Sequence, residues 1–340
     1  MHSHLWQMPH DQTISLCDGL VYDLAMSMHD PASAEPATPE PQPQKRGYSI
    51  GPHRLNAPRI DSALYIVATP IGNLGDITVR ALETLSAAEL IACEDTRTTR
   101  VLLDRYQIRT PLMAYHDHNG EIARPRILSA LAEGKAVALV SDAGTPLISD
   151  PGYRLVTATV EAGYRVIPIP GASALLSALV GAGLPTDAFL FAGFLSSKQE
   201  ARARRIEELR SLPATIIFYE SPHRLDETLA ELARIMGPDR PAVVARELTK
   251  TFEEFAYGTL GSLAGRYASE KPRGEIVIVV APAPEEETSD NDVDRLLMAA
   301  LARTPPGKAA AEVARLTGRD RKALYERALA LKDVPSRDGT

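Results

Sequence analysis

The sequence predicts an α/β protein of two lobes that carries a small helical domain at its C-terminal end. Three observations predict it. From about residue 62, short β-branched runs alternate with stretches of helical period, the punctuation of helices packed on a sheet. Glycine- and proline-rich loops stand at the carboxyl ends of several of those runs, which is where open α/β sheets bind ligands. After Ala281 the composition changes abruptly, an acidic stretch giving way to amphipathic helical pattern. At 340 residues the chain is long enough for two or three domains and a large buried core.

Residues 1–61 show no apolar period, and Pro31, Pro36, Pro39, Pro41 and Pro43 punctuate an Ala/Glu/Gln stretch. Such a composition cannot offset the entropy of ordering by burial, so a disordered extension is expected. It lacks a basic segment followed by an apolar one, so no secretory signal is expected, and Met26 or Met28 is an alternative start. The first α/β domain is expected over residues 62–170. Its strands are read at 64–68, 91–93, 112–115, 136–140 and 166–169, with Asp76 or Thr78 capping a helix whose apolar face is Val79, Leu82, Leu85 and Leu90. The second domain is expected over residues 171–282, with strands at 189–194, 215–219, 242–246, 252–259 and 275–281 and helices near 198–211 and 222–236. An acidic linker, 283–290, then leads to three short helices over 291–332. Between Asp294 and Lys332 there are nine Lys/Arg against four Asp/Glu. Arg319, Arg321, Lys322 and Arg327 therefore form either a basic face for RNA phosphates or an ordinary solvated face.

Composition excludes some classes. A charged content of 24% and no apolar run of membrane length argue against a bilayer partner. Cys17 and Cys93 lie far apart with no metal-ligand spacing, which fits a reducing cytoplasm. A net charge of -7 argues against a uniformly basic nucleic-acid binder but leaves room for local patches. Neither a GxGxxG fingerprint nor a GxxxxGK[ST] loop occurs, so nicotinamide and nucleoside-triphosphate chemistry are not indicated.

Three loops draw attention. The strand 64–68 runs into Thr69-Pro70-Ile71-Gly72-Asn73-Leu74-Gly75-Asp76, and the strand ending at Val140 opens into Ser141-Asp142-Ala143-Gly144-Thr145-Pro146-Leu147-Ile148-Ser149-Asp150-Pro151-Gly152. A third, Pro168-Ile169-Pro170-Gly171-Ala172-Ser173-Ala174, stands at the start of the second domain. Small residues let the backbone approach a ligand, and the prolines reduce what binding must order.

These loops, together with CEDTRTTR, FYESPHR and ARELTKTFEE, resemble those of the ribosomal RNA small subunit methyltransferase I family within the tetrapyrrole methylases, over about Ala63 to Leu331. The resemblance implies a two-domain tetrapyrrole-methylase fold with S-adenosyl-L-methionine in the cleft between domains, usually in a homodimer. It implies 2'-O-methylation of a cytidine in the decoding centre of 16S ribosomal RNA, with the RNA or the small ribosomal subunit as partner. Carried over by position, cofactor contacts are expected at Pro70, Gly72, Gly144, Thr145, Ile148, Ser173 and Ala174, and from the second domain at Tyr219 and Arg246. Gly144-Thr145-Pro146 stands where porphyrin-methylating relatives often have Gly-Asp-Pro, which points away from porphyrin substrates.

A ribose hydroxyl is a weak acid, so a base near the methyl group is expected. The candidates are Glu94, Asp95, His116, Glu220 and Lys250, left unranked; for Glu94 and Asp95 a helix cap or a pair with Arg97 is the plain alternative. His116 and His118 lack further ligands at metal spacing, and methyl transfer from a sulfonium requires no metal. Arg97, Arg100, His223, Arg224 and Lys250 sit in loops expected to face the cleft and so form a path for RNA phosphates. The competing readings are a methylase of corrinoid or porphyrin precursors and a non-catalytic RNA-binding factor in ribosome assembly.

Overall fold

The computed structural model describes residues 46–284 and 289–332, which belong to one compact unit. The expected extension before Arg46 and the acidic run at 285–288 lie outside the described residues.

The stretch from Arg46 to Asp61, expected to be disordered, is ordered instead. Strands β1 (Gly47–Ile50) and β2 (His53–Asn56) form an antiparallel hairpin about Gly51, whose φ of +57° suits a tight turn. It docks because Tyr48, 2% exposed, enters the core beside Leu82 and Leu85. The Ser49 amide donates to the Tyr106 carbonyl at 2.8 Å, and Arg46 reaches the Ala87 carbonyl at 2.6 Å and Glu89 at 2.8 Å. β2 is exposed along its whole length, so the hairpin shows none of the alternation that marks a half-buried strand.

The first lobe is a parallel sheet of β3 (Leu64–Val67), β4 (Leu90–Cys93), β5 (Leu112–Ala114), β6 (Val137–Val140) and β7 (Val166–Ile169), in the order β5-β4-β6-β3-β7. Helices α1 (Val79–Ala87), α2 (Thr96–Arg105), α3 (Gly120–Ala132) and α4 (Tyr153–Glu161) connect the strands. Leu82, Leu85 and Leu103 fill one face of the sheet and Ile127, Leu131 and Leu155 the other, so β3 and β6 are buried along their length as parallel strands usually are. Thr78, rather than Asp76, caps α1, its hydroxyl accepting from the Ala81 amide. Val79 is 53% exposed at the first turn, and Leu90 has already entered β4, so Ala81, Leu82 and Leu85 carry the buried face.

The second lobe comprises α5 (Ala174–Gly181), β8 (Phe189–Phe194), α6 (Gln199–Leu209), β9 (Thr215–Glu220), α7 (Leu225–Met236), β10 (Pro241–Arg246), β11 (Glu254–Thr259), α8 (Leu260–Ser269) and β12 (Ile276–Val280). Its sheet runs β11-β10-β12-β9-β8, with only the β8–β9 pair parallel. Leu229, Leu232 and Leu260 pack on one face, and α5 covers the other through Leu175, Ala178 and Leu179. Ile71, from the first lobe's loop after β3, is buried in that second core.

The tail is three helices, α9 (Asp290–Leu301), α10 (Pro306–Thr317) and α11 (Arg321–Lys332), around Val293, Leu297, Val313 and Leu324. Gly318, with a φ of +69°, ends α10 and makes the turn into α11. Among the described residues no helix is long and apolar enough to cross a membrane.

Because Tyr48 anchors the hairpin, Tyr48→Ala should cost about 3 kcal/mol, the usual penalty for truncating a buried aromatic ring. The check is the midpoint of urea or thermal unfolding, and an unchanged midpoint would show that the hairpin contributes no stability.

Candidate active site between the two lobes

The chain leaves β3 and β6, which lie side by side, in opposite directions: α1 leads past β6 to β4, and α4 leads past β3 to β7. That is a topological switch point, and the crevice it opens lies at the carboxyl ends of the two strands. Two reciprocal backbone hydrogen bonds tie the loops there, Thr69 amide to Gly144 carbonyl at 2.8 Å and Gly144 amide to Thr69 carbonyl at 3.0 Å. The Thr145 hydroxyl donates to the Ala172 carbonyl at 3.2 Å and draws in the third loop. Gly144, with a φ of +81°, also lies so close to Ile71 that an added Cβ would stand 3.2 Å from its methyl group. Leu147 and Ser149 hold left-handed backbone (φ +74° and +65°), strain of a kind that concentrates at functional sites.

A cavity of about 330 Å³ lies over these loops, within the range of small-molecule sites. Of the residues expected to touch a cofactor, Gly144, Thr145, Ile148, Ser173, Ala174 and Tyr219 line it. Pro70 and Gly72 do not line it; Ile71 between them does, and Gly72 instead faces the Lys250 side chain. Arg246 is likewise not part of the wall, because its guanidinium is held by Glu254 at 2.9 and 3.1 Å and by the Arg273 carbonyl. The Tyr219 hydroxyl accepts from the Leu175 amide at 3.1 Å, and Phe191 and Phe194 pack edge-on against its ring. Burial pushes its phenol above the usual range.

Several wall residues were not singled out from the sequence: Ile71, Asp150, Phe194, and the run Gly274 to Val277 at the start of β12. Asp150 lay within a recognised loop, whereas Phe194 and Gly274 carry no local signal, since tertiary structure alone brings them to the cavity.

The candidate bases separate by environment. Asp95 caps α2, accepting from the Arg97 amide, and pairs with the Arg97 guanidinium at 2.6 Å; the Arg97 side chain and amide hydrogen bonds hold its carboxyl at about 2. Glu220 is buried and saturated, taking hydrogen bonds from Arg224, Thr228 and the Ser221 amide. The Lys250 ammonium is held by Glu247 at 2.8 Å and Glu275 at 3.1 Å; burial opposes its charge, but those two bonds outweigh it and raise the pKa. Asp95, Glu220 and Lys250 are thus each held by partners of opposite charge. Glu94, at the end of β4, is different: burial raises its carboxyl, and so do Asp142, Asp150 and Asp117, with His116 acting in the opposite sense. Asp150 in the cavity wall is also raised by burial, against a hydrogen bond with Ser141. The His116 Nδ1 atom is buried without a partner among the described residues.

Of the expected RNA contacts, Arg97, Arg100, His223, Arg321 and Lys322 are exposed. Arg224 turns inward onto Glu220 and the Leu195 carbonyl. Arg319 and Arg327 pair with Asp290 and Asp294 of α9, which neutralises one flank of the tail.

Comparison with known proteins agrees with this architecture. Residues 63–264 match the model of the tetrapyrrole (corrin/porphyrin) methylases, and residues 287–332 match that of the RsmI C-terminal HTH domain. The chain is 55% identical over 286 residues to the ribosomal RNA small subunit methyltransferase I of Mesorhizobium japonicum, covering 84% of this chain and 97% of that protein. It is 49% identical to the protein of the same name from Xylella fastidiosa, covering 77% of this chain and 97% of that protein. In three dimensions it resembles a diphthine synthase, with a TM-score of 0.52 at 17% identity, over 64% of this chain and 89% of that one. The chain therefore belongs to the tetrapyrrole methylases and, within them, to the ribosomal RNA small subunit methyltransferase I family.

Proposed function

We propose that the chain methylates the 2'-hydroxyl of a cytidine in the decoding centre of 16S ribosomal RNA, with S-adenosylmethionine as donor. The observation that carries this reading is the interlobe cavity, which lies over the loops of a switch point and has a half-buried carboxylate, Asp150, in its wall. The relatives named above are ribosomal RNA methyltransferases, which supports the choice of acceptor.

The cavity's chemistry fits such a donor. Asp150, whose charge is disfavoured by burial, gains a partner from a cationic ligand. Tyr219 and Phe194 offer ring faces to a flat base, and the small residues Gly144, Ser173 and Ala174 admit close approach of backbone polar groups. Bound there, the donor supplies a methyl carbon already activated by the sulfonium charge, so the protein's task is positioning and proton removal. Glu94, whose charge is disfavoured by burial and by Asp150 of the cavity wall, takes the proton from the ribose hydroxyl; its raised pKa makes it a stronger base than an ordinary carboxylate. Arg97, Arg100 and His223 guide the RNA toward the crevice, and Arg321 and Lys322 hold phosphates farther along it. A cytoplasmic homodimer belongs to the same reading, since the outer face of α5, with Leu176 and Val180 exposed, offers apolar surface for a second copy to cover.

Labelled donor incubated with small ribosomal subunits should mark 16S ribosomal RNA on a ribose oxygen, whereas uroporphyrinogen should take no label. Label on the tetrapyrrole, or none on RNA in the presence of bound donor, would overturn the assignment.

Glu94→Gln should lower the turnover number by about 10²–10⁴-fold, the usual contribution of a general base, and leave donor affinity within a factor of about three. The sign of the pH effect follows from the base being active as its carboxylate. Activity of the unmodified chain should fall as pH drops through a value above the ordinary 4.5, and that acid limb should vanish in the variant. An unchanged pH profile in Glu94→Gln would remove Glu94 from the reaction.

A further inference from the structure

The loop after β10 is bent in a way that packing alone does not require. Glu247 and Thr249 both adopt left-handed backbone, with φ of +52° and +66°, and a β-branched threonine in that region is a genuine outlier. The bend is closed by the Lys250 amide donating to the Glu247 carbonyl at 3.0 Å, and by Glu253, which accepts from the Thr249 amide at 2.6 Å. The result is that Lys250 is aimed out of the second lobe and across to the first. Its aliphatic chain lies over Gly72, so near that a Cβ built there would stand 2.5 Å from Lys250 Cγ and 2.8 Å from Cε. Its ammonium returns to the second lobe, to Glu247 at 2.8 Å and Glu275 at 3.1 Å. Glu275 and Gly274 belong to the cavity wall, as does Ile71 beside Gly72.

We propose that Lys250 is a positioning residue: its side chain straps the first-lobe loop carrying Ile71 against the β12 edge of the cavity and so sets the gap in which the donor binds. The inference rests on the functional reading above, because the gap is taken to be the donor's. It assigns Gly72 a different purpose from a cofactor contact. Gly72 has no side chain because Lys250 occupies that space, and its φ of +149° is a conformation L side chains rarely adopt. The two carboxylates are then anchors for the strap, and the strain at Glu247 and Thr249 is what aims it.

The test is titration calorimetry of S-adenosylmethionine with the full chain, its Lys250→Ala, Lys250→Met and Gly72→Ala variants, and the Gly72→Ala/Lys250→Ala double variant, with melting temperature and steady-state kinetics on small subunits measured alongside. Lys250→Ala should raise the donor Kd about tenfold and raise the donor KM more than it lowers kcat. Lys250→Met, which keeps the aliphatic chain, should recover part of that loss. Gly72→Ala should cost more in the parent chain than in the Lys250→Ala background, where the clash is gone. Additive losses, or an unchanged donor Kd in Lys250→Ala while the parent chain binds donor, would overturn the strap alone. A parent chain that binds no donor would instead overturn the functional reading. The strap's contact is then judged by melting temperature, where two substitutions that fail to couple would remove it as well.

Discussion

The site depends on a pair of backbone hydrogen bonds, those between Thr69 and Gly144. The loops after β3 and β6 lead to helices on opposite faces of the sheet, and these bonds hold them together at the crevice. With the loops held, Ile71 reaches the core of the second lobe, where burying a side chain of its size contributes roughly 2 kcal/mol. One residue thus belongs to the first lobe by chain order and to the second by packing. Gly144, Ser173 and Ala174, all small, line the cavity beside it and leave that space open.

Above the floor, residues of one chemical type take distinct roles because their surroundings differ. Asp95, Glu220 and Glu94 are all carboxylates at or near strand ends on the crevice side. Asp95 is committed to Arg97 and to the start of α2, and Glu220 to Arg224 and Thr228 within the second lobe. Both carboxylates are satisfied by these partners. Glu94 has burial and three acidic neighbours acting on it together, which makes the protonated form more accessible and the ionised form more basic. Crowding of negative charge at the end of a parallel sheet costs stability, which a cationic ligand beside Asp150 would relieve.

Much of the fold was legible in the sequence because its signals are local. The buried strands of the first lobe are short continuous apolar runs, and Thr78 stands at a cap position that three residues of context suffice to recognise. The three loops could be read because glycine and proline mark positions where backbone must bend or approach. The hairpin at Gly47–Asn56 was missed since its second strand buries nothing and its first is anchored by one tyrosine, a contact spanning more than thirty residues to α1. The surroundings of Arg246, Arg224, Gly72 and Lys250 were not legible for a related reason. Charge and loop position are visible in sequence, but the partner that occupies a charge is not, and each partner here is supplied by tertiary structure.

The same distinction bears on how the chain meets a polyanion while carrying a net charge of -7. Arginines that pair internally, such as Arg224, Arg246 and Arg327, add little to the field outside the molecule, because their carboxylate partners cancel them at short range. Exposed groups without such partners among the described residues, such as Arg100, Arg321 and Lys322, project their charge into solvent, where a phosphate can displace counterions. Pairing on one flank of the tail therefore sharpens the other: Asp290 and Asp294 hold Arg319 and Arg327 against α9 and leave the first turn of α11 as its basic surface. On the proposed function, the exposed cations of α2 and of α11 divide the work on RNA: one set orients the acceptor and the other keeps it from leaving.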